Sequence, residues 1–212
     1  MGLLQYFSRH AGEIGQATLE HIWLTAGAMA LAILVGVPLG IASARRPGFS
    51  KFALGGANVA ETIPSLALFG FLLPVPWLGE RSDRMAIAAL ALYALLPIIR
   101  NTATAILSID PAIKESAKAM GMTEAQILMK VELPLSLSTL LAGIRIATVL
   151  TIGIATIAAA VGAGGLGEFI FRGLAMVNNQ LILAGAIPAA ALALGADLIL
   201  ELIERRLRPA ER

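Results

Sequence analysis

The chain has no cysteine, which excludes disulfides, thiolate metal sites and cysteine nucleophiles but leaves the compartment open. Charge is scarce too. Asp, Glu, Lys and Arg make up 14% of the 212 residues, against about 25% in an ordinary soluble domain. Histidine occurs only as His10 and His21, before or at the opening of the first apolar stretch, and neither sits in H-E-x-x-H spacing. The long apolar segments therefore hold no nucleophile with a base beside it, as intramembrane hydrolysis requires. No G-x-x-x-x-G-K-[ST] loop occurs, so this chain is not itself an ATPase. The first twenty residues are polar and mixed, without the basic start and apolar core of a cleavable signal.

Apolar residues fill the gap, at 58%, with a mean hydropathy of +0.81. Most of the chain must face lipid or other buried helices. The net charge is only +2 and the basic residues lie mainly beside apolar segments, so nucleic acid binding is not expected. The length suits one membrane domain and leaves no room for a soluble enzyme domain.

A bilayer core takes roughly 20 apolar residues as helix. Five segments qualify, at about 21–44, 52–75, 85–107, 137–161 and 180–203, giving an all-α integral membrane fold with one domain over 21–203. Residues 1–20 read as an external amino-terminal segment and 204–212 as a basic cytoplasmic tail. Pro64, Pro74 and Pro76 predict a kink and an irregular exit in the second span. With the 108–134 loop in the cytoplasm, Arg45, Arg46, Lys51, Lys114, Lys118, Lys130, Arg205, Arg206, Arg208 and Arg212 lie inside. Arg9, Arg81, Arg84 and Arg172 lie outside. Ten against four fixes the amino terminus outside and the carboxyl terminus inside. Small residues spread through every span suit close helix packing, within the chain or at a dimer seam.

The polar interval Ser108–Pro134 is built as a helical hairpin. Asp110 is placed to cap a helix that opens on Pro111, and Gly121 to end it. Thr123 and Gln126 match a capping box, and Pro134 is expected to bar continuation. Ile113, Ala117 and Met120 share a face, with Lys114, Glu115 and Lys118 off it. Such a hairpin is suited to dock on a partner; the plain alternative is a loop resting on lipid headgroups.

Glu115-Ser116-Ala117, Gly121 and Val131-Glu132-Leu133-Pro134 keep the spacing of the E-A-A…G…I-x-L-P signature, and the chain resembles the permeases of ABC importers. Ser116 and Val131 are mild departures. Further stretches, T-I-P-S-L-A-L (Thr62–Leu68), Y-A-L-L-P-I-I-R-N-T (Tyr93–Thr102), L-A-G-I-R-I-A (Leu141–Ala147), V-G-A-G-G-L-G (Val161–Gly167) and I-F-R-G-L (Ile170–Leu174), resemble the osmoprotectant branch. The resemblance implies a five-span type I permease core in a bacterial inner membrane. It implies import of glycine betaine, carnitine, choline or a related solute. Residues 108–134 would be the coupling helix region, with Asp110, Glu115, Ser116, Ala117, Lys118, Gly121, Leu133 and Pro134 serving docking. The implied partners are a pair of cytoplasmic ATPases that bind ATP and Mg, a periplasmic or lipid-anchored solute-binding protein, and a second copy or close paralogue. An ATP-independent channel or secondary carrier, or a permease for another small solute, remains the alternative.

Gly162, Gly164 and Gly167 match G-x-G-x-x-G, but they follow a membrane helix rather than a strand and lack the acidic residue about 20 positions on. With Gly165 they read as a tight turn at the outer face, followed by an amphipathic piece over Glu168–Met176. Four charges lie inside the spans: Glu61, Arg100, Arg145 and Asp197. Such charges are costly and face a protein interior or a wet path. Asp197 lies at the right depth to pair with either arginine, as a structural ion pair or as part of a gate. Glu61, with Pro64 and Ser65 just after it, stands where relatives often carry glutamine, and Pro64 would free the carbonyl of Ala60. It is a candidate for the solute pathway, or a carboxyl group held by Asn58, Thr62 or an arginine.

Overall fold

A computed structural model describes residues 3–207, all of whose regular elements are helical. A short helix α1 (Leu3–Arg9) leads into α2 (Ala11–Arg45), which at about 1.5 Å per residue is longer than a bilayer core is thick. Helix α2 begins ten residues before the first expected span. The segment A-G-E-I-G-Q-A-T-L-E carries two glycines, which weaken a helix, and its helix is held by burying Ile14 and Ala17 against Leu166, Phe169 and Leu181. The second expected span is two helices, α3 (Pro47–Thr62) and α4 (Ser65–Leu72), bent by 102° at Ile63 and Pro64. Pro64 cannot donate and disfavours helix at the residue before it, which explains the break.

Helix α5 (Ser82–Leu107) agrees with the third expected span and packs along α2. After α6 (Pro111–Ala119) and α7 (Glu124–Ile127), a π-helical turn over Leu128–Glu132 runs straight into α8 (Leu133–Ala158). Pro134 therefore does not bar continuation. The Leu133 N–H bonds the carbonyl five residues back, at Leu128, and this wide turn takes up the register just before the proline. Proline is tolerated in the first turn of the helix that follows. Helices α9 (Gly167–Ala175) and α10 (Asn179–Leu207) complete the described fold. The expected tail residues Arg208 and Arg212 lie outside the described residues. Among the described residues four helices are long and apolar enough to cross a membrane, with the bent pair as a fifth if it forms one span.

The core lies where α2, α5 and α8 meet, around Leu24, Ala28, Ala32, Ala89, Leu90 and Ala155. Its small side chains let backbones approach closely. A methyl group on Gly143 of α8 would stand 2.4 Å from Asn101 Cβ of α5, and one on Gly40 would stand 2.9 Å from the Ile99 carbonyl. Dispersion gained over such long contacts is what holds helices together where lipid removes the hydrophobic drive.

Candidate functional site

Two ends of the bundle and one flank carry the polar chemistry. At one end the hairpin forms by local rules. The Asp110 carboxylate accepts from the Ala112 N–H at 2.9 Å, capping α6 behind Pro111. At the other end of α6, Gly121 takes φ +80°. The Gly121 N–H donates to Lys118 and the Met122 N–H to Ala117, closing the last turn with crossed bonds. Thr123 and Gln126 then exchange both bonds of a capping box, at 2.9 and 3.3 Å.

The expected apolar face of α6 divides. Ala117 is buried, whereas Ile113 is 42% and Met120 75% exposed. Glu115 and Ser116 are exposed as well, and Lys118 makes an exposed pair with Glu124 at 3.1 Å. Such a pair contributes little on its own. The hairpin thus shows an uncovered apolar edge rimmed by charge, with Leu133 half-buried and Pro134 exposed at its base.

Beneath the hairpin lies a cluster that sequence reasoning missed. Glu132, buried, receives Arg45 of α2 at 2.9 Å and Lys114 of α6 at 3.2 Å. Lys114 also donates to the Ile106 carbonyl of α5 at 2.9 Å. Cations from α2 and α6 converge on one carboxylate of the π turn, and Lys114 ties α5 to the same cluster. The only signal was the charge at Glu132, in the variable position of V-E-L-P.

Farther along the same end, Arg145 of α8 meets Asp197 at 3.3 Å, Glu204 at 3.6 Å and Glu201 at 3.9 Å on α10. Of the two partners open to Asp197, the structure chooses Arg145. Arg100 instead donates to the Asn58 side-chain oxygen at 3.1 Å, joining α5 to α3.

The flank formed by α3 and α5 exposes Asn58, Glu61, Thr62, Arg100 and Thr104, with Pro64 exposed and Ser65 half-buried at the bend. Pro64 does not leave the Ala60 carbonyl free: the Ile63 N–H turns back onto it at 3.4 Å. Thr62 donates to Val59, and the Tyr93 hydroxyl donates to the Ile63 carbonyl across the break. Neither Asn58 nor Thr62 holds Glu61: the Thr62 hydroxyl proton goes to Val59, the Asn58 oxygen accepts from Arg100, and no hydrogen bond joins either to the carboxylate among the described residues.

The opposite end is shaped by glycine. Gly162, Gly164 and Gly165 all take φ between +77° and +85°, which side chains rarely adopt. Gly167 is needed for space, because a methyl group there would stand 1.9 Å from the Thr156 carbonyl. Ser82 donates to the Gly162 carbonyl at 2.8 Å, and the Gly165 N–H donates to Glu20 at 3.2 Å. His21, fully buried, lies against the same turn and donates Nε2–H to the Ile152 carbonyl at 3.0 Å. His10 bonds the Tyr6 carbonyl and stacks on its ring. Both histidines hold structure. Among the described residues no group of His, Cys, Asp and Glu could hold a metal ion.

A family model described as the binding-protein-dependent transport system inner membrane component matches residues 36–209. The chain is 46% identical to the glycine betaine/carnitine/choline transport system permease protein OpuCD of Bacillus subtilis (strain 168), over 98% of this chain and 90% of that one. It is 41% identical to the carnitine transport permease protein OpuCB of Listeria monocytogenes, over 98% and 94%. It is 39% identical to the osmoprotectant import permease protein OsmW of Salmonella typhimurium (strain LT2), over 99% and 98%. In fold it resembles a chain of the inward-facing MetNI methionine ABC transporter, with a TM-score of 0.85, 24% identity, and 92% and 96% coverage. A chain of an amino acid ABC transporter gives a TM-score of 0.78 at 18% identity, covering 97% and 99%.

Proposed function

The chain belongs to the binding-protein-dependent inner membrane transport components, and from that premise we propose that it carries osmoprotectants such as glycine betaine, carnitine or choline, driven from the 108–134 hairpin. It is a multi-pass inner-membrane permease subunit of an ATP-driven importer, and ATP hydrolysis belongs to a separate subunit. The solute class is supported by relatives of 39–46% identity over nearly the whole chain.

In this reading Asp110–Pro134 is the coupling region, and the partner is a pair of cytoplasmic ATPases that bind ATP and Mg. The observation that carries it is the uncovered edge of α6. Ile113 and Met120 are exposed there, on a helix whose ends are fixed by a cap and a left-handed glycine and whose base is tied by Glu132. A loop resting on lipid has no need of such a rigid seat. Glu115, Ser116 and Lys118 rim the contact, and Ala117 sets the spacing to the body of the fold. The amino terminus then lies outside, and the glycine-rich turn with α9 faces a periplasmic or lipid-anchored solute-binding protein. Residues 21–203 make the transmembrane domain, 1–20 its external lead-in, and 204–212 the inner tail.

A second copy or close paralogue completes the pathway against the α3–α5 flank. Glu61, Pro64, Ser65 and Arg100 belong to that wall, because charges exposed to lipid cost about 2.5–3.5 kcal/mol each near a helix centre. Arg145 and Asp197, joined across α8 and α10, brace the inner end and move with the gate. Alternating access follows from rocking of the two halves on the ATPase pair.

A cysteine placed at Met120 tests the reading directly. It should cross-link to the co-expressed ATPase, and the yield should change with bound nucleotide. Cross-linking to lipid alone, with no ATPase captured, would remove the docking site.

A further inference from the structure

The α3–α5 flank carries two opposite charges that the fold leaves unneutralised. Arg100 is exposed and spends one donor on Asn58, a neutral amide, so its guanidinium keeps its charge and most of its five N–H groups. Glu61 is exposed, and none of the ion pairs among the described residues includes it. It stands one helical turn beyond Asn58, about 4.5 Å along the axis of α3. That is also the last turn of α3, where the chain breaks at Ile63 and Pro64. The carbonyl end of a helix is its negative pole, so it adds to the charge of Glu61. Tyr93 lies across the break, its hydroxyl donating to the Ile63 carbonyl, which brings its ring to the end of α3.

Resting on the reading of this flank as pathway wall, we propose that Glu61 and Arg100 form a dipolar passage site for small zwitterions bearing a quaternary ammonium group. The ammonium passes against Glu61, the carbonyl end of α3 and the Tyr93 ring. A quaternary ammonium has no N–H to donate, so charge and an aromatic face are what recognise it. The carboxylate passes against the Arg100 fork, which can take it in two parallel bonds. Arg100 is held at Asn58, three residues before Glu61 on α3, so the two anchoring positions lie about 4.5 Å apart along the helix axis, the scale of a molecule whose ammonium and carboxylate are joined by a short carbon chain. A purely cationic solute engages only the Glu61 half.

The test uses the whole transporter, permease with ATPase and binding protein, in vesicles. Maximal uptake rates at saturating solute are compared for glycine betaine, a zwitterion, and choline, a cation, because the binding protein dominates the half-saturation concentration. Arg100→Gln should lower the glycine betaine rate relative to choline by roughly 10-fold or more, since loss of even one bond of the charged fork gives about that much. Arg100→Lys, which keeps the charge but loses the fork, should fall between. Glu61→Gln, nearly isosteric, should lower both rates and leave their ratio within about twofold, since both solutes carry the ammonium. An unchanged ratio in both Arg100 variants overturns the proposal, as does a Glu61→Gln effect confined to glycine betaine. Wild-type complex that moves neither solute overturns the osmoprotectant reading and the site with it. Wild-type uptake of both solutes, with their ratio unchanged in both Arg100 variants, removes the site alone.

Discussion

The Arg45 guanidinium reaches Glu132 at 2.9 Å while Lys114 closes on the other carboxylate oxygen at 3.2 Å, so the end of α2 and the start of α6 are held by one buried acid. Lys114 extends the tie to α5 through the Ile106 carbonyl. A push on α6 is therefore delivered to α2, α5 and the π turn that leads into α8. Packed interiors transmit such displacements because they have little room to yield.

Removing the acid should uncouple rather than merely loosen. Glu132→Gln leaves two cations facing a neutral amide, and stability should fall by about 1–3 kcal/mol, the usual cost of stranding partners of a charged hydrogen bond. Thermal unfolding of the purified subunit checks that fall. Solute moved per ATP hydrolysed checks the coupling, and it should drop several-fold while ATPase co-purification persists.

Gly121 gives a cleaner lesion. A side chain at this position would meet nothing within 4 Å, so its φ of +80° is the whole constraint. Gly121→Asn should be tolerated, because asparagine visits the left-handed region readily. Gly121→Val should cost about 1–2 kcal/mol or more, spent in the hairpin alone. Co-purification of the ATPase should be lost with valine and kept with asparagine, with insertion normal for both.

Helix packing should respond to space instead of φ. At Gly143 an added methyl group would lie 2.4 Å from Asn101 Cβ, whereas at Gly195 it would meet nothing. Gly143→Val should sharply lower the yield of folded protein in detergent. Gly195→Ala should leave it unchanged or raise stability by about 0.5–1 kcal/mol.

Topology is open to direct labelling because the chain has no cysteine of its own. Glu80 and Ser116 are both exposed, at opposite ends of α5. A cysteine at Glu80 should react with an impermeant reagent in intact cells, and one at Ser116 only after permeabilisation. The reverse pattern would turn the molecule over and take the hairpin away from any ATPase.

The hairpin was legible because its structure is local. The Asp110 cap, the Gly121 turn and the Thr123–Gln126 box each need only a few adjacent residues, and all three formed. The amphipathic piece after the glycine-rich turn was equally local. Pro134 misled because the π turn just before it makes room for it, and nothing at the proline announces that turn. The first helix was read short because residues 11–20 look polar, yet Ile14 and Ala17 find a partner surface 150 residues away in sequence near Phe169. Long-range choices were the least visible. Asp197 had two arginines at suitable depth, and only the packing of α10 on α8 selects Arg145. Glu132 looked like an ordinary variable residue until Arg45 and Lys114 arrived from elements far apart in the chain.

Reconstituting the chain in vesicles with its ATPase and binding protein, and following labelled glycine betaine, tests the central claim most directly. Uptake should require ATP on the hairpin side and binding protein on the other, and should vanish with Gly121→Val while the subunit remains inserted. Uptake at the same rate by the permease alone, without ATPase or nucleotide, would contradict it and make the chain a carrier.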